Sequence, residues 1–188
     1  RQKNNFFKKK KNIINIINIG RIVDQKNQIL LLKALNYIKH KINFRLLIIG
    51  SGILKNNLIE FAKENKINNK LKILNFQKNP YKFLAKSDVL IHTAKFEGLP
   101  NVLIEAQLLK KFIISSDCPT GPKEILCNGK AGFLFKNENY KILSKKIVYY
   151  FENKKISKKK INYGYKKIYR FDYNHCLKRY HTEIEKIF

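Results

Sequence analysis

Residues 94–117 read AKFEGLPNVLIEAQLLKKFIISSD. A loop containing Gly98 and Pro100 runs into PNVLIEAQLL, a helical stretch with Pro100 suited to its first turn. KFIISSD follows as an apolar strand. Upstream, DVLIHT is a second strand, so the unit is strand, loop, helix, strand. The loop carries Glu97 and the helix carries Glu105, two of only 13 acids in the chain.

The alternation extends both ways. NIINIINIG, ending at Gly20, is a buried strand closed by a turn. NQILLLKALNYIKHKI has apolar residues at helical spacing (Ile29, Leu32, Leu35, Ile38) and predicts an amphipathic helix. FRLLIIG is a continuous apolar run of the parallel-sheet kind. A helix (ILKNNLIEFAKENK), a strand (LKILNF) and a short helix opened by Asn79 and Pro80 come next. Beyond Asp117 come the helical turn GPKEIL, the strand GFLF, the helix ENYKILSKKIVYYFEN and a mostly helical remainder. This order predicts an α/β domain with a Rossmann-like, doubly wound parallel sheet. Right-handed crossovers then bring the strand-to-helix loops to one edge, where ligands bind in such sheets.

Length and composition fit one domain: 188 residues, 44% hydrophobic. Residues 1–11, RQKNNFFKKKK, read as a basic linker or arm, and residues 12–188 as the domain. The first residue is Arg1, which is read as a sign of either a fragment or an incomplete gene model. No apolar run reaches the roughly 20 residues that span a bilayer, and no signal peptide is visible. Three cysteines without a C-x-x-C pair argue against a disulfide framework or a zinc site, and fit a cytoplasmic chain. The four histidines form no ligand cluster with them and read as surface or loop groups. The net charge of +27 favours polyanions in general. Only five of the 40 basic residues are Arg, however, which argues against specific nucleic-acid readout. Lysines interleaved with Tyr163, Tyr165 and Tyr169 keep a polyanion-binding domain as an alternative, though a solvated helix face with packed tyrosines is the preferred reading. An anionic membrane surface is a further candidate partner, with the chain peripheral on the cytoplasmic face.

The loops carry the chemistry. In IGRIVDQKNQ, Gly20 permits close approach, and Arg21 and Lys26 precede a helix, an arrangement suited to a diphosphate. GSG at 50–52 lacks the third glycine of a dinucleotide fingerprint, since Lys55 stands there. Around Glu97, free amides near residues 99–103 would meet a phosphate, and a carboxylate suits a pair of adjacent hydroxyls. Together these suit a ligand with phosphates and sugar diols. The competing reading of Glu105 is an early-helix acid complementing the macrodipole.

FEGLPNVLIEA, with its E-x7-E spacing, resembles the retaining glycosyltransferases of family four, which have the two-domain GT-B architecture. IGRIVDQKNQ, LLIIGSG, NPYKFLAKSDVLIHTAKFEGLPNVLIEA, IISSDCPTGPKEIL, GKAGFLF and YRFDYNHCLKRY follow in that family's order, across residues 12–182. The resemblance implies the C-terminal, donor-binding half, with the N-terminal acceptor domain absent. It implies catalytic roles for Arg21 and Lys26 on the departing diphosphate and for Glu97 on the transferred sugar. Glu105 would hold the ribose. Gly98, Leu99, Asn101, Val102 and Leu103 would offer backbone amides, Gly52 would line the phosphate side, Phe76 and Gln77 would flank the base, and Gly20 would belong to the same donor site. DCPTGPKEIL is similar to members using UDP-linked hexoses or N-acetylhexosamines, transferred to a glycan or lipid-linked acceptor. The family's small hydroxyl residue before the first glutamate would be Thr93. With no D-x-D motif, the expected site uses no metal and no cofactor beyond the UDP-sugar substrate. The alternative from the same resemblance is a non-catalytic nucleotide-sugar-binding remnant.

Overall fold

β-Branched and leucine side chains dominate the strands, and every residue of Val89–His92 and Phe112–Ser116 is buried. Such runs need cover on both faces, which a parallel sheet between helical layers supplies. The computed structural model describes residues 6–7, 12–136 and 138–186. Its strands are β1 (Ile13–Ile19), β2 (Asn43–Ile49), β3 (Leu71–Leu74), β4 (Val89–His92), β5 (Phe112–Ser116) and β6 (Phe133–Phe135). They form a six-stranded sheet in the order β3-β2-β1-β4-β5-β6, parallel throughout. The order reverses between β1 and β4, so the switch point lies beyond Ile19 and His92.

Alternate residues of each strand feed two cores. Ile14, Ile16, Leu46, Ile48, Val89 and Ile91 enter one, with α1 (Gln28–Tyr37), α2 (Lys55–Glu64) and α6 (Tyr140–Glu152). Ile17, Leu47, Ile49, Leu90 and Ile113 enter the other, with α3 (Tyr81–Leu84), α4 (Asn101–Leu108) and α5 (Pro122–Ile125). Helix α1 differs from the predicted amphipathic stripe. Leu30, Leu31, Leu32, Ala34 and Leu35 are all buried and Ile29 is half-buried, because α6 and α2 cover flanks that a two-layer protein would expose. Tyr150 of α6 stacks on Phe112 with centroids 4.7 Å apart and donates its hydroxyl to Asp88 O at 3.0 Å.

The predicted short helix starts one residue later than expected, with Tyr81 first and Pro80 in the N-cap position. Asn79 Oδ1 accepts from Tyr81 N at 3.1 Å, with Pro80 between them. Helices α7 (Lys154–Lys166) and α8 (Tyr173–Ile184) complete the chain, and Asp172 caps α8 through the amides of Asn174 and His175. On α7, Tyr163 packs on the second core while Tyr165 faces outward, and Tyr169, in the 3-10 turn Ile168–Phe171 that follows, is exposed as well. No helix among the described residues is long and apolar enough to cross a membrane. Of the basic lead-in, residues 1–5 and 8–11 lie outside the described residues. Phe6 and Phe7 pack on the second core, and Arg45 Nη1 donates to Phe6 O at 3.0 Å.

Candidate active site

Past their last residues, β1, β2 and β3 stay laced by backbone. Gly20 N donates to Ile49 O, Gly50 N to Leu74 O, Ile22 N to Ser51 O and Leu54 N to Ile22 O, at 2.8–3.2 Å. The approach is close because residue 52 has no side chain: a Cβ there would lie 2.1 Å from Ile22 O. Gly52 thus packs the two loops together and does not line the cleft beside them. That cleft has a volume of about 320 Å³, and Gly20, Arg21, Phe76 and Gln77 are on its walls with Ile19 and Ile49. Four predicted site residues therefore meet at one opening.

The other side of the switch point is built from side chains. The turn Asp24–Lys26 follows β1, and Lys26 runs its stem over Gly20, where a Cβ would touch its Cδ and Cε at 3.7 Å. Lys26 Nζ reaches Glu97 Oε1 at 2.5 Å. Thr93 ties the end of β4 to this turn by donating to Lys26 O at 2.9 Å. The hydroxyl placed by the resemblance before Glu97 thus fastens the segment that carries Lys26. Gln25 is stitched to the same loop from both sides: Lys95 N donates to Gln25 O at 2.8 Å, and Gln25 Nε2 donates to Phe96 O at 3.0 Å. Arg21 Nη2 donates to Gln25 Oε1 at 3.3 Å. Ser116 Oγ donates to Ala94 O at 2.7 Å, and the Thr120 hydroxyl to Glu97 O. Gly121, at φ +75°, lets the loop after β5 lie on Gly98.

The histidines, expected at the surface or in loops, need one correction. His92 is the last residue of β4 and 4% exposed. Its register partner on β5 is Ser115, whose Oγ lies 3.2 Å from Nδ1. Its Nε2 lies 2.8 Å from Glu97 Oε1. The expectation failed because a histidine at the mouth end of an apolar strand can meet a loop carboxylate that sequence separation alone does not place. Burial pushes the Glu97 carboxyl up, but the hydrogen bonds and charges of His92 and Lys26 outweigh it and hold the group below the usual carboxylate range.

Glu105 lies on α4 and accepts from the Tyr81 hydroxyl at 3.2 Å, which brings it toward the rim next to Pro80. The charge of Glu105 in turn raises the Tyr81 phenol. Tyr81 was not singled out in the sequence; its place just after Asn79-Pro80 was the available signal. Gly98 and Leu99 are exposed in the loop, and Asn101 and Val102 open α4. Leu103 is fully buried and its N–H already donates to Pro100 O at 2.9 Å, so it differs from the amides expected to be free.

The chain resembles known proteins in both sequence and fold. An uncharacterized glycosyltransferase of Methanocaldococcus jannaschii is 45% identical over 112 residues, 59% of this chain and 28% of its own. A Campylobacter jejuni N-acetylgalactosamine-N,N'-diacetylbacillosaminyl-diphospho-undecaprenol 4-alpha-N-acetylgalactosaminyltransferase is 34% identical over 124 residues, 66% of this chain and 33% of its own. The chain thus spans a third or less of the length of these two curated relatives. Among solved structures, a glycosyltransferase from Rickettsia africae superposes with a TM-score of 0.82 at 26% identity, covering 94% of this chain and 48% of that one. HepE of Anabaena, solved with UDP, shares the fold with a TM-score of 0.77 at 19% identity, over 85% of this chain and 44% of its own. The sequence profile described as "Glycosyl transferases group 1" matches residues 1–167 and takes in every loop of the edge, so the chain belongs to that family and carries one Rossmann-like half of a GT-B architecture.

Proposed function

We propose that this chain is the donor-binding half of a retaining glycosyltransferase that moves a hexose or N-acetylhexosamine from a UDP-sugar to a glycan or lipid-linked acceptor. The observation that carries the reading is the convergence of Lys26 and Glu97 at the switch point, 2.5 Å apart, beside the cleft walled by Gly20, Arg21, Phe76 and Gln77. The base and ribose occupy the cleft, with Glu105 on the ribose hydroxyls, since a carboxylate accepts from both members of a diol. The diphosphate lies between Arg21, Lys26 and the start of α4, and the sugar lies against Glu97. As the bond from the anomeric carbon to the diphosphate breaks, its electron pair leaves with the phosphate. Preorganised cations and amide dipoles beside that oxygen stabilise the charge that develops there. Arg21, Lys26 and the helix end supply that positive charge without a metal. The Campylobacter relative, named for N-acetylgalactosaminyl transfer to a diphospho-undecaprenol-linked acceptor, supports the choice of sugar and acceptor class.

Calorimetric titration of the protein with UDP at moderate salt, with Glu105→Ala alongside, tests the reading. Saturable binding that weakens at least tenfold in the variant is expected, as for loss of a charge-assisted hydrogen-bond acceptor. Equal binding in both proteins, abolished by salt, would mean that net charge alone attracts the nucleotide, and the proposal would fall.

A further inference from the structure

Glu97 is gripped by one oxygen. Lys26 Nζ and His92 Nε2 both reach Oε1, at 2.5 and 2.8 Å, whereas Oε2 accepts no hydrogen bond from any described residue. The two grips differ in kind. Lys26 ends a flexible stem on a short turn, with its side chain 21% exposed. It is also the cation that a diphosphate would draw away. The His92 ring is 5% exposed, sits on a central strand and is held at both nitrogens, by Glu97 and by Ser115.

An ionised Glu97 facing Nε2 disfavours the neutral tautomer that lacks a proton there, and the two remaining ring states both donate. In the neutral ring with its proton on Nε2, Nε2–H donates to Glu97 and Nδ1 accepts from the Ser115 hydroxyl. In the cationic ring, Nδ1–H donates to Ser115 Oγ, whose own proton goes to Ser116 O at 3.0 Å. Either way Nε2–H points at Glu97 Oε1 and leaves Oε2 for a ligand.

We propose that His92 is a positioning residue, keeping Glu97 aimed at the donor's sugar when Lys26 moves to the diphosphate. The inference rests on the reading that Glu97 meets that sugar. Recognition of the sugar then depends on His92, and recognition of the nucleotide does not.

The test is the preference of the intact protein for a nucleotide sugar over UDP, measured by calorimetry with UDP, UDP-glucose, UDP-N-acetylglucosamine and UDP-N-acetylgalactosamine. His92→Phe keeps a buried ring without a donor. It should lower the preference for the tightest nucleotide sugar by about tenfold, as for loss of a charge-assisted hydrogen bond, while UDP affinity stays within about twofold. His92→Gln, whose amide donates at a similar reach, should keep most of the preference. Should His92→Phe fail to fold, Ser115→Ala carries the test: releasing Nδ1 should lower the preference by about threefold. An unchanged preference in the variant that folds would overturn the proposal. So would an equal loss for UDP and nucleotide sugar without recovery in the glutamine variant, which marks a packing role only. A wild-type protein that binds no nucleotide sugar better than UDP would remove the assignment of Glu97 to the sugar, and the proposal with it. Failure of the inference alone leaves the wild-type preference intact.

Discussion

The two sides of the switch point are built on different principles. Beyond β1, β2 and β3 the loops are joined backbone to backbone, with glycines making room and apolar side chains walling the cleft. Where the loops after β4 and β5 meet one another and the turn after β1, one backbone bond, Lys95 N to Gln25 O, is joined by hydroxyls, a glutamine amide and charged groups: Thr93, Ser116, Thr120, Gln25, Lys26, His92 and Glu97. A backbone join is blind to pH and to most side-chain identities but cannot tolerate an added carbon. A side-chain join tolerates small steric change but depends on protonation and charge. One half of the edge is therefore a rigid seat, and the other is a site whose chemistry can respond to a ligand.

Gly52→Ala should show the largest effect. Its methyl would lie 2.1 Å from Ile22 O, a backbone atom that cannot rotate away. The expected cost is at least ~3 kcal/mol, or failure to accumulate folded protein, read by urea unfolding. A variant of wild-type stability would break the comparison on its rigid side. Lys26→Ala comes next. In the proposed reaction it should lower kcat by roughly 100-fold, more than it raises KM, because the cation acts on charge that develops as the diphosphate leaves. The reverse pattern would make Lys26 a ground-state binder.

Acid should separate the sides further. Glu97 has a folded pKa below its unfolded value, so its stabilising contribution is fully present above the unfolded carboxylate pKa. That contribution is lost as pH falls through the folded value. The stability gap between wild type and Glu97→Gln should therefore shrink as pH falls below the unfolded carboxylate value of about 4.3 and on through the lower folded value. Any deficit of Gly52→Ala should stay constant over the same range. A constant gap for both variants would show that the polar side is not governed by charge. Tyr81→Phe, which cuts the exposed bond to Glu105, should do least. Stability should change by less than ~0.5 kcal/mol and UDP affinity by about twofold to threefold.

The rigid side was the more legible in the sequence. NIINIINIG and FRLLIIG declare strands through composition, and Gly20, Gly50 and Gly52 mark turns, because those signals are local. Lys26 and Glu97 were each identifiable as candidates, but their contact required knowing that β1 and β4 are neighbours while Ile48 and Ile73 lie on the far side. His92 was overlooked for the same reason. Its meaning depends on Ser115, its partner across a strand pair, and on a loop carboxylate folding back over it. Leu103 shows the converse: proximity to the glutamates suggested a ligand contact, while helix geometry commits both its side chain and its amide.

The stitches between Gln25 and the loop after β4 have a consequence for dynamics. The turn Asp24–Lys26 cannot lift away without parting Lys95 N–H from Gln25 O, Gln25 Nε2 from Phe96 O, and Thr93 from Lys26 O. Two segments some seventy residues apart in the chain are thereby one cooperative opening unit, and the Lys95 amide, although it lies in the loop after β4, reports through its hydrogen exchange on the segment that follows β1.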